Sequence, residues 1–229
     1  MKRVVFLLSM VLVSSHGMTK SLGSTTESME KYMVSSSDYV AGHPVSDYAN
    51  RWWMWAFSVP DDVSPVRDKS GEFCQVSQQG DVWFLAGGYG SSKIKRTCVV
   101  PAGKYLFFPV INMAYWPRKE GAMTCDEAKK LAALNNDKLL NIQVSLDSVV
   151  ARNPVDTRIS STSCFDIYEK IPRKYNPPKL YPSATDGYWV MLKPLDKGKH
   201  MLKFSAQYDR EKGAYSKMAQ DIEYELIIQ

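Results

Sequence analysis

Residues 73–111 read FCQVSQQGDVWFLAGGYGSSKIKRTCVVPAGKYLFFPVI, and the fold is decided here. Short runs rich in valine, tryptophan and phenylalanine are broken at Gly80, Gly87, Gly88, Gly90 and Gly103, which is the pattern of strands separated by turns. Strands are expected at FCQV, at DVWFLA and at KRTCVV. Tyr105–Phe108, apolar on both faces, reads as an interior strand ending at Pro109. The glycines do not cradle a phosphate, because their spacing fits neither the dinucleotide nor the P-loop pattern and no helix pattern opens behind them.

Working outward, the same period of two recurs. Leu140, Ile142, Val144 and Leu146 alternate with Asn141, Gln143, Ser145 and Asp147, which predicts a half-buried strand. His200, Leu202, Phe204, Ala206 and Tyr208 alternate in the same way, as do Ile222, Tyr224, Leu226 and Ile228 in the last strand. Cys164–Tyr168 is a further short strand candidate. Two helices interrupt the pattern. One runs from Ser46 or Asp47 to just before Pro60, with a strand placing Trp53, Trp55 and Phe57 on one face as its alternative. The other spans Cys125–Leu134, announced by Thr124 and Glu127 as a capping box. Residues 171–186 carry Pro172, Pro177, Pro178 and Pro182 and read as a long irregular loop. The expected fold is mainly β: a disulfide-bonded β-sandwich or jelly-roll-like domain with two short helices over residues 46–229, a closed barrel being the runner-up.

Residues 1–17 have the layout of a secretory signal peptide, with Lys2 and Arg3 before the apolar run Val4–Val13. Residues 18–45 form a serine- and threonine-rich arm. No later segment is long and apolar enough to span a membrane as a helix, so the expected location is secreted or periplasmic. Four cysteines in an exported chain imply two disulfides, with three possible pairings. Cys74–Cys98 and Cys125–Cys164 are preferred because each pair brackets one structural unit, and each would contribute about 3–4 kcal/mol by restricting the unfolded chain. The chain lacks closely spaced CxxC, and only His43 and His200 follow the leader, so neither a metal nor another cofactor is expected. With Lys2 and Arg3 removed, the formal charge falls from +5 to +3, too small a surplus for a nucleic-acid track.

Six tryptophans and thirteen tyrosines exceed what core filling alone requires in a chain of 229 residues, and Trp52, Trp53 and Trp55 are not expected all to point inward from one short element. Exposed aromatic rings supply contact area at low entropic cost, to a protein or to a sugar. The binding candidates are therefore Trp53, Tyr115, Trp116 and Tyr181, with Arg118, Lys119, Arg173 and Lys174 as the cationic partners of an acidic surface. No nucleophile elbow accompanies His200, and no pair of carboxylates can be singled out for glycosidase chemistry. The expected function is that of an exported, non-enzymatic protein-binding protein, such as an inhibitor or immunity-type neutraliser of a secreted or envelope-targeted protein. The alternative is a carbohydrate-binding module or glycan-active hydrolase on a jelly-roll scaffold.

Overall fold

All nine residues of the strand Ala184–Leu192 are buried, because both of its faces are covered. The computed structural model describes residues 28–119, 122–213 and 215–229, and the expected leader lies outside the described residues. In chain order the strands are β1 (Met33–Val34), β2 (Tyr39–Val40), β3 (His43–Pro44), β4 (Val82–Phe84), β5 (Ser92–Val100), β6 (Tyr105–Tyr115), β7 (Leu139–Leu146), β8 (Val149–Val150), β9 (Arg158–Ser160), β10 (Ala184–Leu192), β11 (Gly198–Tyr208) and β12 (Ala219–Ile228). The helices are α1 (Asp47–Ala56) and α2 (Cys125–Ala133). The fold is mainly β with two helices and two disulfides, Cys74–Cys98 and Cys125–Cys164.

Two sheets carry the chain in a sandwich-like arrangement. In the first, β10 pairs antiparallel with β6 along its length, β4 joins β6 in parallel, and β9 and β1 share the other edge of β10. The second has the order β5-β12-β11-β7-β8, with β5 parallel to β12. One apolar layer holds Leu106, Phe108, Tyr188 and Val190 of the first sheet together with Leu202, Phe204, Ile222 and Tyr224 of the second. Each fully buried large side chain there stabilises the fold by roughly 1.5–3 kcal/mol. The outer face of the second sheet is a charge ladder in which Glu223 lies in register between Lys95 and Lys203, 2.7 and 2.9 Å away.

A second apolar layer lies on the far side of the first sheet, where α1 packs. Trp52, Trp53 and Trp55 are all buried, which corrects the expectation that one short element could not turn all three inward. The sheet covers one side of the helix and the loop around Val66 and Val76 covers another. Each indole N–H also finds an acceptor: Leu85 O for Trp52, Thr185 Oγ1 for Trp53 and Val76 O for Trp55. α2 starts at the expected capping box, with Thr124 and Glu127 exchanging hydrogen bonds, and packs on β10 and β6.

Four local readings change. Residues 73–76 form tight turns rather than a strand, because the Asp68 carboxylate already accepts the N–H groups of Ser70, Gly71 and Phe73 and satisfies this backbone locally. β6 does not stop at Pro109. The ladder with β10 shifts register between Tyr188 and Trp189, and a proline is tolerated at such an irregularity. A register shift in the β7–β11 pairing likewise leaves Leu140 exposed, so Leu139 packs against the core instead. Around Cys164–Tyr168 there is one isolated bridge, Phe165 with Ser183, and no strand.

Candidate functional site

Four aromatic rings meet at the C-terminal end of α1. Phe57 stacks on Trp53 with ring centroids 5.9 Å apart, meets Trp116 edge-on at 5.7 Å and contacts Tyr168 at 5.8 Å. Trp53 and Trp116 thus share one aromatic cluster, although Trp53 is buried and Trp116 is half-buried. Tyr115, at the end of β6, is exposed, as are Arg118 and Lys119 beyond it.

Tyr168 opens the proline-rich loop. One carboxylate oxygen, Asp166 Oδ1, accepts the N–H of Tyr168 at 3.0 Å and that of Leu180 at 3.1 Å, closing the loop at its neck. The Ser183 hydroxyl donates to Leu180 O at 2.5 Å and fixes the exit. The result is an Ω-like excursion with its ends tied together. Arg173, Lys174 and Tyr175 form a short helical turn that ends at Asn176 in the left-handed region. The Lys174 ammonium lies 5.0 Å over the Tyr175 ring and that of Lys179 lies 5.5 Å over Tyr181, with both rings exposed. Among the described residues no hydrogen bond, ion pair or ring contact joins Arg118 or Lys119 to Arg173 or Lys174. The irregular region ends three residues earlier than its sequence suggests, since β10 starts at Ala184.

Beside this loop lies a cleft of about 520 Å³. Its roof is the β2–β3 hairpin, whose central residues Ala41 and Gly42 both have positive φ (48° and 78°), the backbone of a type I′ turn. Tyr48, Trp55 and Phe84 form its apolar wall, and Arg51, Asp81 and Lys170 bring charge. Arg51 Nη2 donates to the His43 ring at 3.0 Å, and its guanidinium stands 5.6 Å from the Tyr48 ring. Burial pushes the Tyr48 hydroxyl above its ordinary pKa, and it donates to Val40 O, so it acts as a structural tie rather than a proton carrier at neutral pH. A second cleft, of about 440 Å³, lies beside the paired β1 and β10 and is lined by Glu30, Asp38, Asp156 and Trp189. Sequence reasoning missed Phe57, Arg51, Asp166 and Lys170. The available signal for Arg51 was its being the lone cation of α1, directly before Trp52 and Trp53.

Two polar centres resemble reactive sites and are ties. His200 Nδ1 lies 2.7 Å from Asp147 Oδ2 and Nε2 lies 2.9 Å from Asp196 O. Both partners are acceptors, so both ring nitrogens act as donors and neither is left to serve as a base. Burial disfavours the charged ring, but these two bonds outweigh it and raise the pKa of His200. The other centre is Asp186, buried on β10. It takes Arg158 Nε at 3.0 Å and the Ser160 hydroxyl, while Arg158 also reaches Asp137 at 2.7 Å. Burial opposes the Arg158 charge, and the two carboxylates more than offset it, raising its pKa.

Among the described residues no helix is long and apolar enough to cross a membrane, and no three His, Cys, Asp or Glu side chains converge as a metal would require. Compared with family models, curated proteins and solved structures, the chain matches none of them.

Proposed function

We propose that this chain is an exported, non-enzymatic binding protein that neutralises or inhibits another secreted or envelope-targeted protein through the loop closed by Asp166. The scaffold is read as a β-sandwich of jelly-roll kind, with recognition carried on loops at one end. The observation that supports this reading most is the tethering of Tyr168 and Leu180 to one carboxylate oxygen. A loop closed in this way presents exposed tyrosines and four cations, Arg173, Lys174, Lys179 and Lys170, with little ordering entropy left to lose on binding. Such a surface suits an acidic partner, the rings giving contact area and the cations orientation.

The test is capture from the native extracellular or envelope fraction, with the wild-type chain compared with the Arg173→Glu, Lys174→Glu, Lys179→Glu triple variant. All three side chains are exposed, so the fold should survive. A partner retained by the wild type and released by the variant is the expected result. Repeated recovery of no protein, or of a partner indifferent to the reversal, would overturn the proposal. Saturable binding on a glycan array, lost in Trp116→Ala, would favour the carbohydrate reading instead.

A further inference from the structure

We infer that the cleft under the β2–β3 hairpin is a carboxylate-binding subsite whose principal group is Arg51; this deepens the protein-binding reading and rests on it. Three arginines are set into the body of the fold. Arg96 is 1% exposed and its donors reach Asp68 O, Ala86 O, Gly87 O and the Tyr224 hydroxyl. Arg158 is held by two carboxylates. Arg51, half-buried on α1, has among the described residues hydrogen-bond contact with the His43 ring alone, Nη2 lying 3.0 Å from Nδ1 and 3.2 Å from Nε2, and no carboxylate within ion-pair distance. A partly desolvated guanidinium with unused donors lining a cleft is a group built to receive an anion.

The cleft narrows the chemistry of that anion. Lys170, which makes no ion pair among the described residues, lines the same cleft. Asp81 also lines it, paired with Lys104 at 4.0 Å. An acidic group in the wall disfavours a doubly charged phosphate and leaves a single carboxylate on a short apolar stem, which Tyr48, Trp55 and Phe84 can pack against. Ala41 and Ser77, both non-glycine residues with positive φ (48° and 55°), line the same cleft, so its shape is held by backbone conformations that cost energy.

The inference is tested by ¹⁵N NMR of the mature, disulfide-intact chain, following the arginine Nε–Hε signals and the amides of Ala41–His43. The probes are N-acetylglutamate α-amide, its neutral isostere N-acetylglutamine α-amide, glutarate as a free small acid, and inorganic phosphate. Saturable shifts are expected with the glutamyl probe and not with the neutral isostere. Binding should weaken about fivefold in Arg51→Gln and about twofold in Lys170→Gln, a loss of roughly 1 kcal/mol or less of ion-pair energy at a partly exposed site. Lys170→Gln guards against misfolding, since Lys170 is exposed and has no hydrogen-bond or ion-pair partner among the described residues. Stronger binding of glutarate than of the glutamyl probe would assign the subsite to free acids, and the reverse to a side chain of a protein partner. Equal shifts from acid and isostere, a preference for phosphate, or wild-type affinity in both variants would overturn it. A cleft that binds the acid while capture recovers no protein sinks only the function proposed above. A captured partner that needs the loop cations and ignores Arg51→Gln sinks only this subsite.

Discussion

Replacing Arg96 should unfold the protein far more readily than its place on an edge strand suggests. Its guanidinium joins three separate parts of the chain: the loop carrying Asp68, the bend at Ala86–Gly87, and Tyr224 on β12. Nε and Nη2 donate to Asp68 O at 2.9 and 2.6 Å, Nη2 also to Gly87 O at 3.0 Å, and Nη1 to Ala86 O at 2.8 Å and to the Tyr224 hydroxyl at 3.0 Å. In Arg96→Met the Ala86 carbonyl keeps the Tyr224 hydroxyl at 2.8 Å, whereas Asp68 O and Gly87 O lose their partners. Each orphaned acceptor costs about 1–3 kcal/mol. Relief of the buried charge's desolvation returns part of that, so the net loss is placed at about 2–4 kcal/mol. With a urea slope of about 3 kcal/mol/M for a chain of this size, the midpoint should fall by about 1 M. Tryptophan fluorescence in urea, with both disulfides intact, measures it. Arg96→Lys should lose most of the same amount, because one ammonium cannot reach both Asp68 and Gly87. Midpoints within about 0.2 M of wild type for both variants would refute the assignment of Arg96 as the cross-chain tie.

Three further outcomes follow from the geometry. Asp186→Asn should cost about 2–4 kcal/mol, since it takes the buried carboxylate from Arg158, while Asp137→Asn, at the exposed end of the same network, should cost less than about 1 kcal/mol; equal losses in thermal melts would contradict the burial argument. The pKa of His200 is raised on folding, so its contribution is fully present below the unfolded value and is lost as pH rises through the folded one. The stability gap between wild type and His200→Gln, on the order of 1 kcal/mol at pH 5.5, should therefore narrow toward pH 9, and a gap that widens would be the wrong sign. Ala41→Asn should raise the melting temperature by about 2–3 °C, because asparagine accepts the left-handed backbone of the hairpin tip at lower cost than alanine; a fall would show that the tip is not strained.

Period-two patterning, turn residues and the capping box are local properties, and for that reason the sequence alone placed β11, β12, most of β7 and α2 and pointed to a mainly β, disulfide-bonded chain. It misplaced what depends on side-chain hydrogen bonds, register shifts and packing that periodicity does not encode. The FCQV run looks like a strand until Asp68 is seen to take its neighbours' N–H groups, and Pro109 ends a strand only if no register shift absorbs it. Likewise three tryptophans within four residues look excessive for a core until α1 is found covered on more than one side, with acceptors at Leu85, Thr185 and Val76. The loop 171–186 was legible as irregular from its prolines, but its closure by Asp166 was not, since nothing in the spacing of residues 166, 168 and 180 encodes a shared oxygen. Residue type and periodicity determine which segments become strands or helices. Which cation remains unpaired, and whether a ring faces solvent or core, was decided only when sheets and loops from opposite ends of the chain packed together.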